Sequence, residues 1–512
     1  MPESRNLKAH CYESGCSRRN FVKGAGLAVF GLSAMVNPKV DRCGVAASYV
    51  VFSDRGTTYA RNGRTGKIDY KGKDCAKVIQ SALNSLTDGR TWKEKVVLKG
   101  NFVIDKTILV PSYTILEIHG RIRQADNANL EALVANQHWK GWKGTNTHID
   151  IVGGIFDSNY ANQKGYVRGE RFEGACLAFY NVDHCSFDKI RGMNFGHYGV
   201  LVLHGFDNYV GAIYGENGIG RNGYSGVLFI TGGTLTAHGR PNERSHNIIV
   251  DAVFGRNIKG PGLFLEDYGS KYSIGLVHVI NDEIEPSASG VAIASAHDVS
   301  INSIYAEKCG RGLAFDGQNR DSSKNYNFGQ IIALDCYYDG VYIISTGATS
   351  HKRVYMNIGR IISKNNGRGQ VESGGLTVGK YVSNVYIGEL IATDDRDEGK
   401  TQHHGIFLHG NNDKIVVSGG DVSGNKESAV KIEKGVTNLR LRNLFGYVTQ
   451  NGGVGKGPSP IIVEHGLADV PTSVQLTPKG SKPIRVSYEA DERRIKIYHD
   501  ADFAEVSWYA RL

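Results

Sequence analysis

The amino-acid sequence predicts an all-β chain whose central part is a parallel β-helix of about ten coils. Three observations support this fold class. A unit of about 23–31 residues repeats along the chain, and each unit holds short segments of alternating apolar residues. Of 512 residues, 65 are glycine and only 11 are proline, which suits many short strands joined by tight turns.

The repeat is clearest where a strand-like segment ends at asparagine, aspartate or a substitute. Asparagine tolerates the left-handed backbone conformation that a sharp corner needs, and it can stack on its equivalent in the next coil. The one long interval contains an insertion at 231–245. The segment ends are Asn194, Asn217, Asn257, Asn281, Lys308, Asp335, Asn365, Asp394 and Asn425.

After each of these ends, a glycine begins a second strand. Alternation predicts that the first and third residues after the glycine, such as Val200 and Val202, point inward, and that the second and fourth point outward. The predicted outward column of fourth positions is Leu203, Ile230, Glu266, Ala294, Asp316, Ile344, Gly379 and His409.

The segments 65–86 and 96–120 resemble the start of the pectate-lyase-like superfamily of right-handed β-helices. The resemblance implies a right-handed helix and a substrate groove along the outer face of one sheet. It also implies a capping helix whose apolar face is Ala76, Val78, Ile79, Ala82 and Leu83. The tail 471–512 resembles the small β unit that ends many polysaccharide-acting enzymes of this kind.

The N-terminal segment is predicted to be a signal peptide. Residues 17–23 (SRRNFVK) resemble a twin-arginine export motif, and the apolar run at 24–36 is too short to span a bilayer. The predicted divisions are a signal peptide at 1–47, an N-terminal segment with the capping helix at 48–95, the β-helix at 96–450 and a C-terminal β unit at 451–512. We therefore expect an extracytoplasmic protein, exported folded, without a stable membrane anchor.

Charge and cysteine content restrict the partners. The formal net charge is +9 without any long basic run, which favours an anionic partner and excludes nucleic acid. Five of the eight cysteines follow residue 47, so a complete disulfide framework is not expected. Cys309 and Cys336 occupy equivalent repeat positions and could stack or form a bond. The chain could act as a monomer or a homotrimer.

Two carboxylates in the outward column form the first candidate site. Glu266 and Asp316 lie two coils apart, so about 9–10 Å separates them at ~4.8 Å per strand. This separation is near the upper limit of the distance between the acid and the base of an inverting glycosidase. Asp267, which follows Glu266 in the sequence, is a candidate substrate contact.

A second candidate site contains the residue types that β-elimination from a uronic acid requires. Elimination needs a base for the C5 proton and cationic or amide donors that stabilise the enolate-like intermediate. The candidate catalytic residues are His197, Tyr198, Arg221 and Tyr224, and the candidate substrate contacts are Asn222, Arg240 and Arg244.

Two further loops are expected to contact sugar, because aromatic faces stack on sugar rings and cations pair with carboxylates. The candidate residues there are Trp139, Trp142, Lys164 and Arg168. No cofactor is expected to be required. Calcium, which several lyases of the resembled superfamily use, would suit the acidic turn of Asp394, Asp395, Asp397 and Glu398, although a solvated turn is the simpler interpretation.

Together these features predict a secreted polysaccharide lyase that acts on a uronic-acid-containing anionic polysaccharide. Three alternatives remain open. These are a glycoside hydrolase that uses Glu266 and Asp316, an epimerase with the same carbanion chemistry, and a non-catalytic glycan-binding surface protein. The irregular insertion in the N-terminal half favours one localised site over a uniform adhesive array.

Overall fold

The computed structural model describes residues 46–512 except 141–143, 165–173, 221–224, 233–244, 267–268, 318–323, 347–351, 370 and 482. The predicted twin-arginine signal lies almost wholly outside these residues. Within the described residues there is one α-helix, α1 (Cys75–Asn84), and one 3-10 turn (Tyr160–Asn162). No helix in these ranges has the length and apolar composition needed to cross a bilayer.

Strands make up most of the remaining structure. The first part of the chain contains β1 (Ala47–Asp54), β2 (Thr57–Asn62), β3 (Ile68–Gly72), β4 (Glu94–Ile104), β5 (Ile108–Val110), β6 (Thr114–Gln124), β7 (Ala132–Asn136), β8 (Asn146–Thr147), β9 (Ile149–Val152), β10 (Ile155–Asp157), β11 (Ala175–Asp183), β12 (Ser186–Asp188) and β13 (Ile190–Met193). The middle part contains β14 (Val200–Phe206), β15 (Tyr209–Gly218), β16 (Leu228–Thr231), β17 (His246–Ile258), β18 (Pro261–Glu266), β19 (Ser270–Ala294), β20 (His297–Asp316), β21 (Lys324–Leu334), β22 (Val341–Ile344), β23 (Lys352–Lys364), β24 (Gly374–Val378), β25 (Val382–Thr393) and β26 (His404–Leu408).

The last part contains β27 (Asp413–Val417), β28 (Gly420–Asp421), β29 (Ser428–Ile432), β30 (Arg440–Leu441), β31 (Leu444–Phe445), β32 (Gln450–Gly457), β33 (Ile461–Glu464), β34 (Ser473–Lys479), β35 (Val486–Ala490), β36 (Arg494–His499) and β37 (Ala504–Arg511). Strands β1–β31 belong to one hydrogen-bonded system, and nearly all of its pairings are parallel. The predicted parallel β-helix is confirmed.

One ladder of this β-helix positions the candidate sites, and we call it sheet A. Sheet A consists of β5, β7, β11, β14, β16, β18, the last residues of β19 and β20, β22, β24, β26 and β29. In its second half, Leu313 pairs with Val341, Val341 with Leu376, and Leu376 with Ile406.

The inward positions of sheet A fill the core as the alternation predicts. Val200, Val202, Leu263, Leu265, Leu313 and Phe315 are at most 1% exposed and belong to one apolar cluster. Burial of such side chains stabilises the fold by about 1.5–3 kcal/mol each.

The predicted register is wrong by one residue in the coil that contains Gly226. Leu203 pairs with Thr231 instead of Ile230, and Ile230 is fully buried in the core. The cause is Val227, which is itself buried, so the strand begins one residue later than the glycine indicates. Thr231 pairs with Glu266, so the rest of the outward column keeps its predicted order.

The predicted left-handed corners are present at most segment ends. Positive φ angles occur at Asn194, Asn217, Asn257, Lys308, Asp335 and Asn365, between 51° and 59°. Asn281 and Asn425 instead turn their amides inward, donating to the carbonyl oxygens of Lys308 (3.3 Å) and Ala392 (2.9 Å). Asparagine therefore serves these coils both as a corner residue and as a buried hydrogen-bonding partner.

The capping helix is also confirmed. All five predicted apolar residues of α1 are buried. The Asp74 carboxylate accepts a hydrogen bond from the Lys77 N–H at 2.9 Å and caps the helix N-terminus. Strand β1 pairs in parallel with β4 beneath this helix, so the β-helical ladder already begins at residue 47.

Removal of this cap should destabilise the β-helix at its N-terminal end. We expect Asp74→Ala to lower the free energy of unfolding by about 1 kcal/mol, measured from the urea midpoint. Asp88→Ala is the matched control, because the Asp88 carboxylate accepts only from the adjacent Gly89 N–H (3.0 Å) among the described contacts. Equal shifts in the two variants would contradict the capping role.

The C-terminal residues form two separate three-stranded antiparallel sheets, β32-β37-β34 and β33-β36-β35. They enclose their own apolar cluster, which includes Ile495, Ile497, Val506 and Trp508. Cys75, Cys176, Cys185, Cys309 and Cys336 are all free thiols. Cys309 and Cys336 are fully buried on neighbouring coils, and burial raises the pKa of Cys336 to about 12.

Candidate functional site

The outer face of sheet A is covered by apolar side chains in its N-terminal half. Tyr198 is fully buried and stacks on Phe229, with ring centroids 4.8 Å apart. The His197 ring meets the edge of Tyr198 at 5.0 Å and is 9% exposed. Trp139 is 6% exposed and packs near Tyr180 at 5.9 Å. These side chains form a packed layer, so the geometry gives no support to an exposed base or an exposed sugar platform here.

Several of the other predicted site residues lie outside the described residues. These are Trp142, Arg168, Arg221, Asn222, Tyr224, Arg240, Arg244 and Asp267. Lys164 is described and exposed. The proposed roles of this set stay predictions.

Glu266 and Asp316 lie in one outward column of sheet A, as predicted. Both are half-buried. Asp316 pairs with Ala294, and Leu265 pairs with Ile293, so the two carboxylates are two ladder steps apart. This corresponds to about 9–10 Å at ~4.8 Å per strand. The Asp316 carboxylate also accepts a hydrogen bond from the Thr346 N–H at 2.9 Å.

Thr346 belongs to a cavity on the same outer face, which we call the sheet A cavity. Its volume is about 340 Å³, within the range that binds small ligands. The cavity lies at the ends of β22, β24 and β26. Its lining consists of Tyr342, Ile344, Ser345, Thr346, Gly379, Lys380, Tyr381 and His409.

His409 is held by a carboxylate from the next coil. Its Nδ1 lies 3.2 Å from Glu433 Oε1, and the other oxygen of Glu433 accepts from the Gly410 N–H at 2.9 Å. The Gly410 N–H and His409 keep the pKa of Glu433 below its usual range. With Nδ1 facing the carboxylate, Nε2 is the nitrogen that can exchange a proton with a molecule in the cavity.

Arg311 supplies a fixed positive charge beside Tyr342. The guanidinium carbon lies 4.6 Å from the ring centre of Tyr338 and 4.5 Å from that of Tyr342, and Nε lies 3.4 Å from Asp339. Asp339 is buried and accepts from the Thr377 hydroxyl at 2.5 Å. Burial raises the pKa of Tyr342, so this phenol is protonated at neutral pH.

A second polar cluster follows on the neighbouring coils. His404 is 2% exposed, and its Nε2 lies 3.2 Å from Glu372 and 3.6 Å from Glu427. The Lys431 ammonium contacts Glu372 and lies 4.7 Å from the ring centre of Phe407. Phe407 packs against His409 at 4.1 Å, so this cluster is continuous with the sheet A cavity.

In the acidic turn that would suit calcium, the most buried carboxylate already accepts hydrogen bonds from other groups of the turn. Asp394 is fully buried and accepts from the Nε of Arg396 (2.8 Å) and from the N–H groups of Thr401 (2.8 Å) and Gln402 (3.0 Å). Asp395 pairs with Lys364 at 3.1 Å. Calcium binding at this turn stays a prediction.

Sequence reasoning named Asp316 but gave no role to the residues that surround it. His409 appears in the predicted outward column, and Glu433 occupies the next position of that column, one coil beyond the last one read. In that coil Ala429 stands where the preceding coil has Gly405, so counting from a glycine does not locate Glu433. Tyr342 is the second residue after Gly340, so the alternation places it on the outer face, but nothing in the sequence links it to His409. Lys380 has no comparable sequence signal, because it follows the end of a strand as a single polar residue.

No family model and no curated protein matches the chain. Among solved structures, the tailspike protein of E. coli bacteriophage HK620 in complex with a pentasaccharide is 12% identical, with 86% of this chain and 90% of that chain covered and a TM-score of 0.44.

Two further solved structures are similar at the same level. The tailspike protein gp49 from Pseudomonas phage LKA1 is 11% identical, with 85% of this chain and 92% of that chain covered and a TM-score of 0.41. PfbA, a surface adhesin of Streptococcus pneumoniae, is 13% identical, with 72% and 88% covered and a TM-score of 0.38. The likeness is one of fold alone.

Proposed function

We propose that this chain is a secreted polysaccharide lyase that cleaves a uronic-acid-containing anionic polysaccharide in the sheet A cavity. The observation that carries the proposal is the placement of a carboxylate-held histidine, His409, in one cavity with an ammonium, Lys380, and two phenols, Tyr342 and Tyr381. A base, a cation and a proton donor are the groups that β-elimination requires.

Each group has a role in this reaction. Lys380 neutralises the uronate carboxylate and thereby acidifies the C5 proton. His409 Nε2 removes that proton, and the electron pair moves onto the carboxylate. The C4–O bond then breaks as the C4–C5 double bond forms, and the Tyr342 or Tyr381 hydroxyl protonates the departing oxygen. Glu433 orients His409 through its contact with Nδ1.

A glycoside hydrolase is the second candidate, because one observation favours it. Asp316 reaches the rim of the same cavity through Thr346, and Glu266 lies in the same outward column. The separation of about 9–10 Å leaves room for a water molecule between an acid and a base, as in inverting enzymes. In this mechanism Asp316 and Glu266 would act, and His409 would only contact the substrate.

One assay separates the two chemistries. The purified chain without residues 1–47 is incubated with pectate, alginate, hyaluronan, chondroitin, heparosan and glucuronan. We expect one polymer to give an increase in ultraviolet absorbance from an unsaturated uronate, together with new reducing ends. New reducing ends without this absorbance would establish hydrolysis and reject the lyase. Neither signal, with retention of the chain on an immobilised polymer, would indicate a non-catalytic binding protein.

A further inference from the structure

A group of metal-ligating side chains lies at a corner of the β-helix, far along the coils from the sheet A cavity. His148 and His184 occupy the same corner position on neighbouring coils, because Thr147 pairs with Asp183 immediately before them. Both have positive φ angles, 57° and 50°. Their rings are parallel within 6° and their centroids lie 5.1 Å apart, so the two imidazoles face each other across the coil interface.

We propose that His148, Asp183 and His184 bind a divalent transition-metal ion of the zinc class. One ligand atom from each residue lies within 4.8 Å of the other two. Ligands around tetrahedral zinc, at about 2.0–2.1 Å from the ion, are roughly 3.4 Å apart. Since the lone pair of an imidazole nitrogen lies in the plane of its ring, the two parallel rings must rotate toward each other before both can ligate one ion. Two imidazoles and one carboxylate suit zinc, nickel or copper better than calcium or magnesium.

The surroundings of His148 match those of a metal ligand. Thr147 Oγ1 lies 2.6 Å from His148 Nδ1, and an Asp207 oxygen lies 4.0 Å from His184 Nε2. The Thr147 contact orients the His148 imidazole and leaves Nε2 as its ligating nitrogen. Asp207, at 4.0 Å, is too far from His184 for a hydrogen bond.

Asp183 supplies an independent observation. The side chain is 31% exposed, but its Oδ1 is buried and no described group donates a hydrogen bond to it. His184 Nδ1 lies 3.6 Å from this oxygen. A buried carboxylate oxygen without a donor is costly to the fold. A cation held between Asp183 and the two imidazoles would satisfy this oxygen.

The second cluster with suitable ligand types is a poorer metal site. Glu372, His404 and Glu427 also bring their ligand atoms within 4.8 Å of one another. There, however, the Lys431 ammonium contacts Glu372 and already supplies the positive charge. A divalent ion would have to displace Lys431, whereas no described lysine or arginine forms an ion pair with Asp183.

The test is calorimetric titration of ZnCl₂ into the purified chain after removal of metals with a chelator. We expect saturable binding that His148→Asn and His184→Asn each weaken at least about tenfold. Asparagine suits the backbone at both positions, since Asn247 and Asn181 have the same φ angles, 57° and 50°, as His148 and His184. Circular dichroism and the unfolding midpoint verify that both variants remain folded.

His119→Asn is the matched control, because His119 contacts one carboxylate, Glu117 at 2.6 Å, without a second imidazole. It should leave zinc binding unchanged. Zinc affinity that survives both the His148 and His184 substitutions would overturn the proposal, as would the absence of saturable binding. Calcium binding of equal affinity would overturn the assignment to a transition metal. None of these results depends on polysaccharide cleavage, so the two proposals fail separately.

Discussion

Replacement of His409 by alanine should lower kcat for the cleaved polysaccharide about 10²–10⁴-fold. His409 is the general base of the proposed elimination, and its imidazole lines the cavity while Glu433 holds its Nδ1 at 3.2 Å. KM should change much less, since Lys380, which lines the cavity, supplies most of the attraction for the substrate carboxylate. The measurement is the initial rate of unsaturated product formation over a range of substrate concentrations.

Two further variants test whether the loss is chemical or structural. Glu433→Gln keeps the shape of the positioning residue but removes its charge, and it should lower kcat about 10–100-fold with KM nearly unchanged. His297→Ala is the matched control, because His297 also faces a carboxylate, Asp298 at 3.0 Å, but does not line the cavity. An unaltered kcat in His409→Ala would reject His409 as the base. A large loss in His297→Ala would indicate a general structural effect.

The fold was predictable because each coil repeats a small set of local requirements. A glycine at each bend, a period of two in the strand and an asparagine at the corner all point to the same architecture, and about ten coils repeat them. Phe315 and Leu313 were placed inside by this alternation alone. The predicted register is wrong by one residue at Val227, because this additional apolar residue enters the core at a corner. The alternation of the strand does not extend to the corner, so it gives no sign of this residue.

The site was less predictable, because alternation tells which residues leave the core but not what covers them outside. Tyr198 has an outward position and a reactive side chain, yet Phe229 stacks on it and buries it. An aromatic ladder of this kind has the same sequence pattern as an exposed sugar platform. The link between His409 and Glu433 depends on the register between two coils, which becomes certain only once the strands are paired.

Replacement of Asp394 by alanine should give the largest loss of stability among the polar substitutions considered, about 3 kcal/mol. Asp394 is fully buried and joins Arg396 to the N–H groups of Thr401 and Gln402. Gln402 in turn donates to Asn425 at 2.8 Å inside the coils. Without the carboxylate, a guanidinium and two amide N–H groups lose their acceptor, and Gln402 loses the contact that orients it toward Asn425.

Asp395→Ala is the neighbouring control. The Asp395 side chain is 54% exposed and pairs with Lys364 at the surface, so its loss should cost at most about 1 kcal/mol. Both values come from urea unfolding at neutral pH, with the midpoint and slope fitted together. Equal effects in the two variants would contradict a structural role for the buried carboxylate.

The contribution of Asp394 to the free energy of unfolding should decrease as the pH falls. Burial acts to raise the pKa of Asp394, but Arg396 and the N–H groups of Gln402 and Thr401 outweigh it, so the pKa of the folded state lies below its usual value. A depressed pKa stabilises the fold above the unfolded pKa of about 3.9, and this stability disappears as pH falls through the folded pKa. The difference in unfolding free energy between the parent chain and Asp394→Ala should therefore be constant from pH 5 to pH 7 and should shrink below about pH 4. A difference that stayed constant under acid would mean that Asp394 acts through its shape alone, and the ion pair with Arg396 would not be the source of the stability.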